Sequence, residues 1–436
     1  MAHDFDLVII GGGILGTSIS YFLSFLNKTK KIVIIEQAHN VAFHTSGRNT
    51  GKVHAPYLYN PEKKKMFAKA SFNGYEMWEE YSKLKNIPFK KDGVIEVAFD
   101  EKGHKILEKY LTWGKQNGLQ DNDMKLMEKN ELKKIEPEIK CESALYVYKD
   151  GSTDYSKLTN SVIKDSTDNG IKLLTDTKVT QIKKIKNKWK ITLDNEHEIF
   201  ANFIINTAGG ESIDIAHKMD IAEKFTDVHF RGEYWKAPKE YSNLTKTSVY
   251  SVPEYPDYPF LDPHWIIRVD GSCEIGPNAV PVFSPYGYDK VENIKEFIPK
   301  LLEMLNSGAR KAIFDKQFQE LAINEIQSSM SKSKMINRVR RFLPKIDVEK
   351  ITEKGTAGIR SSVINEKGQF IPDVILEEDS MSFHILNYNS PGATGALPFS
   401  AHIVNHLSKK GLFQSESSDA QCGPWRFSKI IEKMAL

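Results

Sequence analysis

Apolar runs separated by glycine or charge give the first expectations. Leu7-Val8-Ile9-Ile10 reads as a buried strand, Gly11 to Gly16 as a glycine turn, and the apolar stretch to about Leu26 as a helix. Ile32 to Ile35 is a second strand, closing on Glu36. Helical spacing resumes from about Pro61 to Leu84, where Met66, Phe67, Phe72, Tyr75, Met77 and Trp78 supply the apolar face. Short strands over Gly93 to Phe99 precede a helix over Lys102 to Asn117 and a charged helix near Asn130 to Ile135. Ala144 to Tyr148 returns as a strand, and a helix runs from Tyr155 to about Asn169. Strands over Lys172 to Leu174 and Val179 to Ile185, then a hairpin from Trp189 to Phe200, lead to a buried strand, Phe203 to Asn206.

The second half is patterned differently. Phe230 to about Pro281 is rich in aromatic, proline and β-forming residues, which suggests an antiparallel sheet. Residues 291 to 343 read as helical, until Leu343-Pro344 breaks the run. Strands follow near Val374 and Phe383 to Leu386, and a helix spans about Leu397 to Leu407. After a polar linker, Gln414 to Gln421, Pro424 opens a short helix in which Trp425, Ile430, Ile431 and Met434 alternate with Arg426, Lys429 and Lys433. This helix is expected to pack against the body, with an interfacial helix as the alternative.

The opening stretch carries the most specific signal. A GxGxxG pattern follows a strand, opens a helix, and has an acid twenty residues beyond Gly16. Gly11 permits the tight turn, Gly13 lets the backbone approach a pyrophosphate, and Gly16 lets helix and strand pack closely. The helix entry at Ile14 and Leu15 presents free N–H groups to phosphate. Glu36, with Gln37 beside it, suits a ribose hydroxyl, which favours FAD or NAD over NADP. The fold class is therefore α/β (α+β overall), with a Rossmann-like dinucleotide domain and an interleaved antiparallel-sheet substrate domain. The expected boundaries are 1–88, 145–215 and 351–412 for the cofactor domain, 89–144 and 216–350 for the substrate domain, and 413–436 for the tail.

Composition narrows the classes. The 436 residues are 40% apolar and 27% charged with a net charge of +3, and the charges are interspersed, so nucleic acid is not indicated. Three distant cysteines, Cys141, Cys273 and Cys422, form no disulfide framework, redox pair or metal spacing, and no metal is expected. The first strand begins almost at the N-terminus and no apolar run reaches transmembrane length, so the expected location is cytoplasmic, with a peripheral contact at the inner face of the membrane left open.

Candidate chemistry lies in loops. The polar stretch from His44 to His54 includes Thr45, Ser46, Arg48, Asn49, Thr50 and Gly51, and falls beside the cofactor strand, where open α/β sheets place ligands. Small residues recur at Ala208-Gly209 and at Gly392-Ala393-Thr394-Gly395, where backbone can approach a cofactor. There is one dinucleotide fingerprint and no second, so the substrate should reduce a flavin directly and the cofactor is FAD. In direct flavin reduction a hydride passes from the substrate carbon to flavin N5 while a base takes a proton. His54 and His264 are the candidate bases. Arg360 is the candidate for a substrate anion, because a guanidinium grips carboxylate or phosphate in a two-pronged way; Lys52 and Arg231 are second candidates for a distal anion.

These segments together resemble the D-amino-acid-oxidase-like flavoproteins and, within them, the L-2-hydroxyglutarate oxidase/dehydrogenase family. The matching stretches are Ser46-Gly47-Arg48-Asn49-Thr50-Gly51 with His54, Phe230-Arg231-Gly232-Glu233-Tyr234, and Pro259-Phe260-Leu261 with His264. Asp270-Gly271-Ser272, Gly276-Pro277-Asn278-Ala279, Ala357-Gly358-Ile359-Arg360 and Ser390-Pro391-Gly392-Ala393-Thr394 complete the set. The resemblance implies FAD-dependent oxidation of a small anionic substrate such as L-2-hydroxyglutarate, with electrons passing to quinone, another carrier or oxygen. It implies flavin-ring contacts from Arg48, Asn49 and the backbone of Gly392 to Gly395, and adenine contact by the Val179 backbone. Lys52-Val53 replaces an aliphatic pair usual in the family, and the same loop is similar to that of FAD-dependent glycerol-3-phosphate dehydrogenases. Glycerol 3-phosphate is therefore the alternative substrate, an amino acid or amine a further one, and a non-catalytic flavin-binding protein a fourth reading. His44 stands where some relatives tether flavin covalently.

Overall fold

The computed structural model describes residues 3–254, 262–389, 391–412 and 420–435. Ser390, Pro259-Phe260-Leu261 and the linker from Gln414 to Asp419 lie outside the described residues. The central sheet is ordered Val179–Ile185, Lys188–Leu193, Glu198–Asn206, His3–Ile10, Ile32–Ile35, Lys172–Leu174, with Ser382–Leu386 beside the end of Glu198–Asn206. His3–Ile10 is parallel to both neighbours, and Ile10 stands level with Ile35 on one side and Asn206 on the other.

Parallel strands need cover on both faces. Leu7, Ile9, Ile34 and Ile205 pack into one cluster with apolar residues of the helices Ile14–Leu26, Lys65–Lys85, Tyr155–Asp168 and Ala396–Lys409. Val8, Ile10, Val33, Ile35 and Ile204 face the opposite way, onto Trp189, Ile191 and Ile215. The continuous apolar runs of the sequence are explained by this two-sided burial.

A second large sheet is ordered Glu353–Lys354, Trp235–Lys236, Cys273–Gly276, His264–Ile267, Ser248–Ser251, Val94–Ala98, Ser143–Val147, Met124–Glu128. It is antiparallel except where Ser248–Ser251 runs parallel to Val94–Ala98, a departure from the purely antiparallel expectation. Hydrogen bonding also crosses the expected boundaries. Ser143–Val147, placed mostly with the cofactor unit, pairs with Val94–Ala98, and Gly358–Asn365 pairs along its length with Phe225–Gly232.

Two local expectations change. The helix expected from Pro61 begins at Lys65, because the Asn60 carboxamide oxygen accepts from the N–H groups of Glu62 (2.9 Å) and Lys63 (3.0 Å) and holds a turn there. Pro424 does not open a helix: it lies in the turn between Gln421–Cys422 and Trp425–Arg426, and the helix is Phe427–Met434. Its Phe427, Ile430 and Met434 are buried against the body, and the Trp425 indole donates to Glu80 at 2.7 Å. The face that an interfacial helix would have offered to lipid is thus covered.

The glycine turn is held by contacts that leave no room for a side chain. Gly11 has φ +110°, and a Cβ on Gly16 would fall 2.0 Å from the Gly11 carbonyl oxygen. Gly16→Ala must push the helix off the strand. The expected cost is about 1–3 kcal/mol, with loss of FAD retention on gel filtration; an unchanged melting temperature with full flavin content would contradict this account.

Candidate active site

The parallel strands of the central sheet end together at Gly11, Glu36 and Thr207, and the cleft opens beyond their carboxyl ends. It is open to solvent and is lined by Gly11, Gly13, Glu36, Gln37, Thr45, Ser46, Val179, Ala208 and Gly209 among the expected cofactor residues. Ile14, Leu15 and Gly16 stand behind it in the buried first turn of the helix. That turn has no acidic residue and no side-chain cap from Gly13, while Ser46 Oγ accepts from the Ile14 N–H at 2.9 Å. A helix end with no acidic residue in its first turn, facing a glycine-walled cleft, fits a pyrophosphate.

Glu36 sits at the cleft floor. Its carboxylate accepts from the N–H groups of Gly12 and Ala38, each at 2.8 Å. Burial pushes its pKa up, and those backbone donors partly offset the shift. Lone pairs remain on both oxygens for a ribose hydroxyl, so the residues present fit the adenosine diphosphate half of FAD. One wall escaped the sequence reading: Pro285 and Tyr286 also line the cleft, with the Gln37 carboxamide hydrogen-bonded to the Tyr286 hydroxyl. His44 lies between Tyr286 (ring centroids 4.4 Å apart) and Tyr288 (5.9 Å), and its pKa falls to about 4 through burial, Arg48 and Lys178.

The loop from Thr45 to Gly51 is shaped by its own side chains. Asn49 donates to the carbonyls of Thr45 (3.2 Å) and Ser46 (2.7 Å) and accepts from the Gly51 N–H (2.9 Å). Arg48 donates to the Phe43 carbonyl at 3.1 Å and lies over the Tyr288 ring at 4.1 Å. Both groups, expected on the flavin ring, are engaged by the protein. Thr50 precedes the φ +74° turn at Gly51 that carries the chain into Lys52–Val53.

The strand Lys52–Val53 delivers His54 to a buried site. The His54 N–H donates to Thr394 Oγ1 at 3.0 Å, and its carbonyl accepts from Ser71 at 2.6 Å. This joins His54 to the turn Gly392–Gly395, whose Ala393 carbonyl also accepts from Trp78 at 3.0 Å. His54 Nδ1 lies 3.0 Å from Asp150 Oδ2, which also accepts from the Ala55 N–H at 3.2 Å. A carboxylate at Nδ1 fixes the imidazole and leaves Nε2 as the free basic atom.

Asp150 was not foreseen as a site residue. An Asp-Gly dipeptide after a strand reads simply as a turn, and nothing local distinguishes it. Lys52 is a correction: its side chain is fully buried, with Nζ 2.9 Å from Asp92 Oδ1, 3.1 Å from the Gly93 carbonyl oxygen and 3.8 Å from Asp150 Oδ1. It serves the carboxylate behind the histidine, not a distal substrate anion. The Arg231 guanidinium lies on Glu233 (2.9 Å) and the Gly287 carbonyl (3.0 Å).

The two histidines expected from distant segments do come together. Tyr250 stacks on His264 with centroids 3.9 Å apart and meets His54 edge-on at 6.1 Å. His264 is buried, and among the described residues neither ring nitrogen has a hydrogen-bond partner. Burial, then the charges of His54, Arg338 and Arg360, lower its pKa to about 3. Burial thus favours the neutral imidazole, the form that can both donate a hydrogen bond to a ligand and accept one. Arg360 enters the same field from the strand Gly358–Asn365, and burial lowers its own pKa from the usual value.

The comparisons with known proteins fit this geometry. The FAD dependent oxidoreductase (DAO) family profile matches residues 6–406, and the chain belongs to that family; it is an FAD-dependent oxidoreductase. Among its relatives, the L-2-hydroxyglutarate dehydrogenase of Indibacter alkaliphilus is 30% identical, over 93% of this chain and 100% of the relative. The mitochondrial L-2-hydroxyglutarate dehydrogenase of Bos taurus is 28% identical, covering 93% and 89%. In fold, the chain is similar to the FAD-bound L-alpha-glycerophosphate oxidase of Mycoplasma pneumoniae, with a TM-score of 0.73 at 22% identity over 93% of this chain and 95% of that one.

The Asp150 contact can be tested by substitution. Asp150→Asn keeps the shape but removes the carboxylate that holds the His54 ring, and is expected to slow flavin reduction ~10²–10⁴-fold with FAD retained. Lys52→Met leaves buried carboxylates without their ammonium and should cost about 3–5 kcal/mol of stability. Unchanged flavin reduction in Asp150→Asn would rule out this positioning.

Proposed function

We propose that the chain oxidises L-2-hydroxyglutarate to 2-oxoglutarate. The observation that carries this reading is the end-to-end likeness to L-2-hydroxyglutarate dehydrogenases, in a chain whose site supplies an oriented base. FAD, when bound, supplies the two-electron acceptor for the carbinol hydride. His54 Nε2 takes the hydroxyl proton, and Asp150 stabilises the imidazolium that forms. His264 hydrogen-bonds the substrate as a neutral ring, and Arg360 pairs with a carboxylate. Arg48, Asn49 and the Gly392–Gly395 turn shape the flavin side, and Val179 borders the adenine. The electrons leave to a quinone, another carrier or oxygen.

Glycerol 3-phosphate is the weaker reading. Its support was the likeness of the loop before His54 to that of glycerol-3-phosphate dehydrogenases and a cation at position 52, and that cation is buried among carboxylates. The likeness to the glycerophosphate oxidase supports the fold alone.

Anaerobic mixing with candidate substrates tests the proposal. L-2-hydroxyglutarate is expected to bleach the flavin's visible absorbance, while its D-enantiomer, glycerol 3-phosphate and a panel of amino acids leave it yellow. Bleaching by glycerol 3-phosphate but not L-2-hydroxyglutarate would overturn the assignment. Replacing His54 with Gln should slow the reduction ~10²–10⁴-fold with FAD retained. Arg360→Lys should weaken apparent substrate affinity on the order of tenfold, since a point charge replaces a two-pronged one.

A further inference from the structure

With Lys52 committed to the carboxylates behind His54, the far acid group of a hydroxy diacid needs a different cation. The run Lys63-Lys64-Lys65 holds a candidate: Lys63 and Lys65 are exposed, whereas Lys64 is half-buried. Lys64 stands immediately before the helix Lys65–Lys85, and its carbonyl accepts from the Ala68 N–H at 2.9 Å. About two helical turns further on, and so on the same side, Ser71 donates to the His54 carbonyl at 2.6 Å.

The start of this helix also meets the strand that carries Arg360. Phe67, one turn after Lys64, packs on Tyr388 with ring centroids 5.2 Å apart, and the Tyr388 hydroxyl donates to the Gly392 carbonyl at 2.8 Å. Asn387, beside Tyr388 in the chain, accepts from the Val363 N–H (3.1 Å) and donates to the Asp373 carbonyl (2.8 Å). Lys64, Asp373 and the strand Gly358–Asn365 with Arg360 are thereby gathered around the Gly392–Gly395 turn that anchors His54. Among the described residues the Lys64 ammonium has no hydrogen bond or ion pair, with Asp373 or any other group. Burial and the neighbouring Arg360 charge hold its pKa below the usual lysine value, while Asp373 acts in the opposite sense. Two neighbouring cations withdrawn from water are costly unless an anion joins them.

We propose that Lys64 receives the distal carboxylate of a hydroxy diacid whose first carboxylate lies on Arg360, so that Lys64 sets a preference for diacids over monoacids. The inference rests on the oxidation of L-2-hydroxyglutarate proposed above. In that reaction the hydroxyl that His54 deprotonates is on the carbon next to the first carboxylate, which a planar guanidinium grips in a two-pronged way. The second carboxylate ends a flexible chain, and a point charge on a long stem can follow it. A monoacid of equal length would place apolar carbon against the ammonium and leave that charge without a partner. A phosphate, by contrast, would draw both cations onto one group.

Binding of acids that cannot be oxidised, read from the absorbance spectrum of the FAD-loaded chain, tests Lys64 apart from turnover. Glutarate is expected to perturb the flavin at lower concentration than valerate, which has the same chain length and a single carboxylate. Lys64→Met should lower that preference about 10–100-fold with flavin content retained, and Lys64→Arg should keep most of it. In turnover, the ratio of kcat/KM for L-2-hydroxyglutarate over L-2-hydroxyvalerate should fall by a similar factor, chiefly through KM. An unchanged glutarate preference in Lys64→Met would overturn the inference. So would inorganic phosphate binding more tightly than glutarate in a Lys64-dependent way, since both cations would then serve one anion. A Lys64-dependent glutarate preference without any oxidation of L-2-hydroxyglutarate would overturn the proposed reaction and still support Lys64 as the diacid contact.

Discussion

A carboxylate with no exposed surface costs several kcal/mol unless charge and hydrogen bonds compensate it, and the region around His54 is built on compensating Asp150. One oxygen takes the His54 ring and the Ala55 N–H; the other faces the Lys52 ammonium. Lys52 is in turn satisfied by Asp92, and Asp92 accepts from Ser152 at 2.7 Å. These groups sit on Lys52–Val53, Gly151–Thr153 and Phe89–Lys90, or beside them, in one small three-stranded sheet. The position of the His54 ring is thus tied to the neutralisation of buried charge.

What could be read from sequence and what could not divides by range. The strands Ile32–Ile35 and Lys172–Leu174 and the helix after Gly13 were legible because periodicity and glycine chemistry act over a few residues. The floor of the dinucleotide cleft was legible for the same reason, with Gly11, Gly13 and Glu36 where the fingerprint put them. Lys52 was misread because a lysine beside a candidate base looks like an anion contact, and only the fold brings Asp92 and Asp150 to it. Asp150 had no local mark at all. The tail was half legible: its apolar residues do pack on the body, but a Gly-Pro turn rather than a helix start stands at Pro424.

The cofactor side and the substrate side also share their hydrogen bonding more than composition suggests. Gly358–Asn365 brings Arg360 into the site while pairing with Phe225–Gly232, and Thr45 of the cofactor loop donates to the Ile359 carbonyl at 3.2 Å. Pro285 and Tyr286, reached from the second sheet through Val280–Val282, return to wall the cleft beside Glu36 and Gln37. Ligand sites at such seams draw residues from many segments, because no single segment can present convergent groups from both sides.

The bond from the His54 N–H to Thr394 spans 340 residues of sequence. During synthesis, which proceeds N-terminus first, the His54 backbone lacks its Thr394 anchor until the chain has grown 340 residues further. The same turn then leads directly into the helix Ala396–Lys409, which closes the core over the strand His3–Ile10. Completion of that part of the core and anchoring of His54 are therefore a single event, so a chain shortened before the turn keeps His54 and Asp150 without the contact that fixes them.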